Sequence, residues 1–247
     1  MKFLWTIFLI CFGLNAQNLD LNPEGKTSVG HVFGGDHKAW DALLKRHVSP
    51  EGKVNYQGFS QDLEALEDYI EYLVLKADGI NAHSKEEQLA FWINAYNACT
   101  VKLICDNLPL SSIKDIPRPW KQTVMKSNNN SWSLNDIEHN ILRKFDEPRI
   151  HFAINCASKS CPILANEAYK QHTLETQLNR AAERFFKDKS KNEYTSKRIY
   201  LSRIFLWFKR DFGNTDNLIA LINHYTGRNI PSNTDISYLS YDWSLNN

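Results

Sequence analysis

Between Arg149 and Pro162 the chain reads RIHFAINCASKSCP, which gathers one His, one Asn, two Cys and two Ser into fourteen residues. Several chemistries can use that set. The first is attack by a Cys156 thiolate, as in a hydrolase or acyltransferase that works on an amide or peptide. A reactive Cys takes thiolate character from a nearby His, a helix N-terminus or a cation. The small residues after Cys156 offer backbone amides for an oxyanion, and Ser158 and Ser160 add hydroxyls to the same surface. If 149–155 is an extended strand, His151 stands roughly 16 Å from Cys156 and points to the other face. His139, on a preceding helix, is then the expected base. Glu138 or an asparagine would orient it, and His151 would form a polar wall of the pocket or bond to Asn94 or Asn97.

The second chemistry is covalent stapling. The turn between Cys156 and Cys161 is short and small enough to bring their Cα atoms within the roughly 4.4–6.8 Å that a disulfide needs. That reading gives a non-catalytic binding module with a stapled turn. The third is a metal site built from His139, His151, Cys156 and Cys161. Their types suit zinc, but their spacing matches no compact ligand pattern, so no metal and no cofactor is assigned. The plainest reading makes both thiols small buried hydrophobes.

These residues need elements to hold them. Asp36 is positioned to cap a first helix carrying Trp40, Leu43, Leu44 and Val48. Ser49-Pro50-Glu51-Gly52 reads as a turn. Ser60 is expected to cap a second helix with a stripe of Leu63, Leu66, Ile70, Leu73 and Ala77. Ser84 and Glu87 form a capping-box pattern for a third helix that runs to about Asn107 and is stopped by Pro109. Apolar residues surround that helix, so Asn94 and Asn97 in its middle are internal hydrogen-bond fixtures or the polar floor of a site. Asn128-Asn129-Asn130 marks a hairpin. A helix from Ser133 or Asn135 to about Lys144 carries Glu138 and His139. Further on come a helix over 173–187, a strand over 198–201, helices over 202–212 and 216–225, and an extended segment over 236–243. The aromatic residues of 204–212 and Trp243 fit core spacing better than a sugar platform. Cys99 and Cys105, about 9 Å apart by helical rise, read as core. Helices dominate and the sheet is small, antiparallel or mixed, so the fold class is α+β in a single domain.

The chain has 247 residues and a formal net charge of +1. No basic stripe with interleaved aromatics is present, which argues against a nucleic-acid partner. Lys2, the apolar run Phe3 to Leu14 and Ala16 have the order of a secretory signal peptide over 1–16, followed by a polar lead over 17–35 and the domain over 36–247. Export to the periplasm or the extracellular space is the expectation, with no membrane span after cleavage and an oxidising compartment that permits a disulfide. The expected partner is a small molecule or a peptide.

Five stretches resemble one family, in its order. They are FWINAYNA (91–98), SLNDIEHNILR (133–143), the segment 149–162, LSRIFLWFKRDF (201–212) and YLSYDWSLN (238–246). They are similar to the family catalogued as domain of unknown function 547. The resemblance implies one fold, often exported in bacteria. It brings no activity and no catalytic residues.

Overall fold

The structure, a computed structural model, describes residues 37–195 and 198–247. The expected signal peptide, the lead and the Asp36 cap lie outside the described residues. Helices α1 (Lys38–His47), α2 (Tyr56–Gln61) and α3 (Leu63–Ala77) pack around a longer one, α4 (Lys85–Cys105). Ser84 Oγ accepts from the Glu87 amide at 3.2 Å and starts α4 as expected. Every residue from Leu89 to Val101 is buried, because apolar side chains face all directions along that stretch. Trp40 stacks on Tyr69 with centroids 5.8 Å apart and locks α1 to α3. Ser60 does not cap α3. It lies inside α2, and its hydroxyl donates to the Tyr56 carbonyl at 3.0 Å.

Strands β1 (Thr123–Lys126) and β2 (Ser131–Ser133) form the expected hairpin. After them, Asp136–Ile141 winds as a π-helix and Leu142–Phe145 as a 3-10 helix. The expected helix is thus in place but unevenly wound. Its start is fixed by Ser133 and Asp136, whose amides are accepted by each other's side chains at 3.0 and 3.1 Å. The segment expected as a strand over 149–155 is instead a one-turn helix, α5 (Ile150–Ala153), which runs into extended backbone at Ile154. The run of apolar residues here is too short for its period to separate helix from strand. Pro148 and Arg149 carbonyls close the turn by accepting from the His151 and Phe152 amides at 3.2 and 3.0 Å.

Beyond α5, the helix α6 (Leu174–Lys187) leads to a three-stranded mixed sheet. Its strands are β3 (Glu193–Tyr194), β4 (Arg198–Leu201) and β5 (Asp235–Tyr238). β3 runs antiparallel and β5 parallel to β4. The crossover between β4 and β5 contains α7 (Ile204–Trp207), a 3-10 turn over Lys209–Phe212, and α8 (Thr215–Thr226), closed by Gly227 at φ 68°. The α+β, mainly helical architecture is as expected.

Two apolar cores result. One gathers α1 to α4 and the hairpin. The other is rich in phenylalanine, with Phe152, Phe185, Phe186, Phe205 and Phe212 between α6, α7 and the mixed sheet. α5 is the seam: Ile150 and Ala153 belong to the first core and Phe152 to the second. The site residues lie along this seam.

Candidate functional site

Cys156 and Cys161 are joined by a disulfide with Cα atoms 6.1 Å apart. In this form Cys156 carries no thiolate, which corrects the expectation of a Cys156 nucleophile with His139 as its base. The turn is held from three sides. Asn155 Oδ1 accepts from the Ala157 amide at 2.8 Å, and its Nδ2 donates to the Pro162 carbonyl at 2.6 Å. Ser160 Oγ accepts from the Asp242 amide at 2.8 Å, and the Lys159 amide donates to the Ser244 carbonyl at 2.8 Å. Asn246 reaches further, taking a hydrogen bond from Tyr56 Oη at 2.7 Å. Lys191, nearly buried, donates to the Lys159 carbonyl at 2.5 Å.

The two helix asparagines are fixtures. Asn94 exchanges both of its amide hydrogen bonds with the backbone of Tyr169, at 2.7 and 2.9 Å. Asn97 donates to the Ala153 carbonyl at 3.0 Å and accepts from the Asn155 amide at 2.8 Å. Asn97 therefore holds the backbone that leads into Cys156. Neither residue lines the cavity described next, so the expectation of Asn94 and Asn97 as ligand-binding groups is corrected: their polar atoms are spent on backbone.

A cavity of about 460 Å³ opens at the seam. His139, His151, Cys156 and Cys161 all line it, together with Glu138 and Tyr96. The helical turn of α5 explains why His151 is here and not carried away along a strand. Ser158 stands behind the disulfide, with Oγ 3.3 Å from Cys156 Sγ and 3.3 Å from Tyr241 Oη. Tyr241 Oη also lies 3.3 Å from Cys161 Sγ. Ser160 serves the turn.

The open side is aromatic. Trp207 and Tyr241 have centroids 4.7 Å apart, Tyr241 and Trp243 4.6 Å, and Trp120 and Trp243 5.7 Å. Trp207 is 45% exposed. The expectation that these rings are core is corrected for Trp207, which is exposed, whereas Trp243 packs partly buried against the first core; both line the cavity. Lys114 Nζ sits 5.2 Å from the Trp243 centroid, and Arg118 and Lys121 also line the cavity.

The polar side is a chain of charges. Arg143 grips Asp211 with two bonds of 2.6 Å, and Asp211 meets His151 Nε2 at 2.7 Å. Arg143 Nη1 also lies 3.0 Å from His139 Nδ1. Burial would raise the Asp211 carboxyl, but the bonds from His151 and Arg143 outweigh it and hold the group well below the usual carboxylate range. Burial pushes His151 down, with Asp211 opposing. His139 is pushed down by burial and by the Arg143 charge. Glu138 is 7% exposed, with Tyr96 Oη at 3.3 Å. Burial pushes its carboxyl up to about 7.

Sequence reasoning missed Asp211, Arg143 and the aromatic wall as site residues. Asp211 and Arg143 lie in the quoted stretches 201–212 and 133–143, but nothing in one stretch points to the other. Asp242 behaves as a turn carboxylate, accepting from the Ser244 amide at 2.9 Å. Cys99 is buried and Cys105 partly so, and neither is in a disulfide. Among the described residues no group of three or more His, Cys, Asp or Glu side chains is arranged to hold a metal ion.

Residues 80–186 match the family model described as "Protein of unknown function, DUF547". No curated protein and no solved structure matches the chain. The matched span includes Glu138, His139, His151 and the disulfide, whereas Trp207, Asp211, Tyr241 and Trp243 lie beyond it.

Proposed function

The chain is a member of the DUF547 family, whose description names no activity, and we propose from the cavity that it is a binding module for a small organic acid with a planar ring. The observation that carries this reading is the pairing of an aromatic wall with a cationic rim. Trp207, Tyr241 and Trp243 pack on one another and line the cavity, where a ligand ring could stack at roughly 0.5–1.5 kcal/mol per pair beyond area burial. Arg118 and Lys121 would take the acidic group. Cys156–Cys161 is the staple that fixes the opposite wall.

A thiol hydrolase or acyltransferase at Cys156 would require reduction of that bond first, so the stapled form favours binding. A disulfide of this kind supports a location outside the cytoplasm, where such bonds persist.

The test is calorimetric titration of the oxidised protein with benzoate. Binding is expected, with affinity falling about tenfold or more in Trp207→Ala/Trp243→Ala and in Arg118→Ala/Lys121→Ala. No heat of binding to the unaltered protein, or full affinity in both variants, would overturn the reading.

A further inference from the structure

Resting on that cavity reading, we infer a further activity: His151 as base, His139 as oxyanion donor and Glu138 as acid make the cavity a thiol-independent hydrolase site for aryl esters. The argument begins with hydrogen-bond capacity. Arg only donates, so His139 Nδ1, 3.0 Å from Arg143 Nη1, must accept. An ionised Asp only accepts, so His151 Nε2, 2.7 Å from Asp211 Oδ2, must donate. Both neutral rings therefore carry their proton on Nε2. They are anchored through different nitrogens, so their free edges differ. That leaves His139 an N–H and His151 the Nδ1 lone pair for the cavity that both residues line.

The His151 side chain is 1% exposed and lines the cavity. Among the described residues, the one buried side-chain nitrogen or oxygen without a partner is Trp92 Nε1. His151 Nδ1 is not such an atom, and we take its residual exposure to face the cavity that His151 lines. Phe208 stacks on the ring at 4.0 Å and Phe212 lies at 5.5 Å, so its orientation is fixed on both sides. The charged or titratable groups around it are Asp211, Arg143, His139 and Glu138.

The step balances without a cofactor. His151 Nδ1 takes a proton from water as the water oxygen bonds to the ester carbonyl carbon. The carbonyl electron pair moves onto its oxygen, which accepts from His139 Nε2–H. The C–O bond to the leaving group then breaks with its electron pair, and Glu138 gives its carboxylic proton to the departing aryl oxygen. The proton on His151 passes to the Glu138 carboxylate through water, restoring both groups. Ester and water become acid and phenol, and nothing is oxidised or reduced. The leaving ring would rest on Trp207 and Tyr241. Asp211 and Arg143 are positioning residues.

The test uses the oxidised full chain with phenyl acetate and p-nitrophenyl acetate. Turnover above buffer is expected, unchanged by iodoacetamide, with His151→Gln slowing both esters roughly 10²–10⁴-fold. Glu138→Gln should slow phenyl acetate about tenfold more than p-nitrophenyl acetate, whose phenolate leaves without a proton. Asp211→Asn should lower kcat with little change in KM and shift the His151 ¹⁵N signals away from the Nε2–H tautomer. Benzoate titration of each protein separates the two levels of inference. Benzoate binding without turnover, or turnover that His151→Gln leaves intact, overturns the hydrolase and spares the binding module. Loss of both overturns both. A His151→Gln protein that fails to bind benzoate is set aside for the leaving-group comparison in Glu138→Gln, where equal slowing of the two esters also overturns the assignment.

Discussion

Replacing Glu138 by Gln should make the protein more stable, and by an amount that grows with pH. Glu138 is buried beside Tyr96, and its carboxyl is raised from 4.5 to about 7. Between those two values the unfolded chain has released the proton while the folded chain keeps it. The unfolded state then binds fewer protons, so unfolding becomes easier as pH rises. The cost is absent below pH 4.5, grows through the window and is complete above about 7. The window spans two and a half pH units, and at about 1.4 kcal/mol each the total is about 3 kcal/mol. Gln keeps the shape and an acceptor for the Tyr96 hydroxyl but has no proton to release. The groups that couple to Glu138, namely Asp211, Arg143, Tyr96 and Tyr241, ionise outside this window, so the remaining titrations cancel in the difference. The assay is urea unfolding of both proteins at pH 4.5, 5.5, 6.5 and 7.5, with the disulfide intact in each. The stability difference should rise in favour of Glu138→Gln by about 3 kcal/mol across the series. A difference that stays flat would refute the claim that this carboxyl is neutral in the folded state.

Three further outcomes are expected. Asn97→Ala strands the Ala153 carbonyl and the Asn155 amide in a buried site, so urea unfolding should show a loss of about 1–3 kcal/mol for each group left unpaired. Gly52→Ala should lower Tm, because Gly52 has φ +86° and an added Cβ would run into the Ile163 side chain; refolded Gly52→Ala with an unchanged Tm would contradict the turn. Arg143→Ala removes the charge that depresses His139, so an NMR titration should show the His139 ring taking up its proton at higher pH than in the unaltered protein.

The sequence made some of this legible because the local pattern and the tertiary surroundings agree. In α4 the cap is Ser84 and the buried run Leu89–Val101 is apolar on every side, so the helix and its depth both follow from the residues. β4 and the Asn128–Asn130 hairpin are equally local. The site was less legible for two physical reasons. Ile150–Ala153 is one turn long, and four residues with an apolar majority show neither a period of two nor one of 3.6. Taking it as extended moved His151 out of the cavity. The second reason is distance along the chain. His151 and Asp211 are 60 residues apart and Cys156 and Tyr241 are 85 apart, so nothing in either neighbourhood names its partner. Trp207 reads as core for the same reason: apolar spacing reports that a ring sits on a face, and only the packing decides whether that face is covered.

The late position of the aromatic wall also sets an order in time. Ser158 and Tyr241 are separated by 83 residues, and ribosomes add roughly 5–20 residues each second. Cys156 and Cys161 therefore emerge several seconds before Tyr241, Trp243 and Asn246 exist to cover their turn. During that interval the turn lacks the tail strand that later pins Lys159 and Ser160. Docking of residues 241–246 against Ser158, Val54 and Tyr56 then pins the turn, with Cys156 and Cys161 still lining the cavity. The tail thus acts as a latch on a turn whose two cysteines are made first.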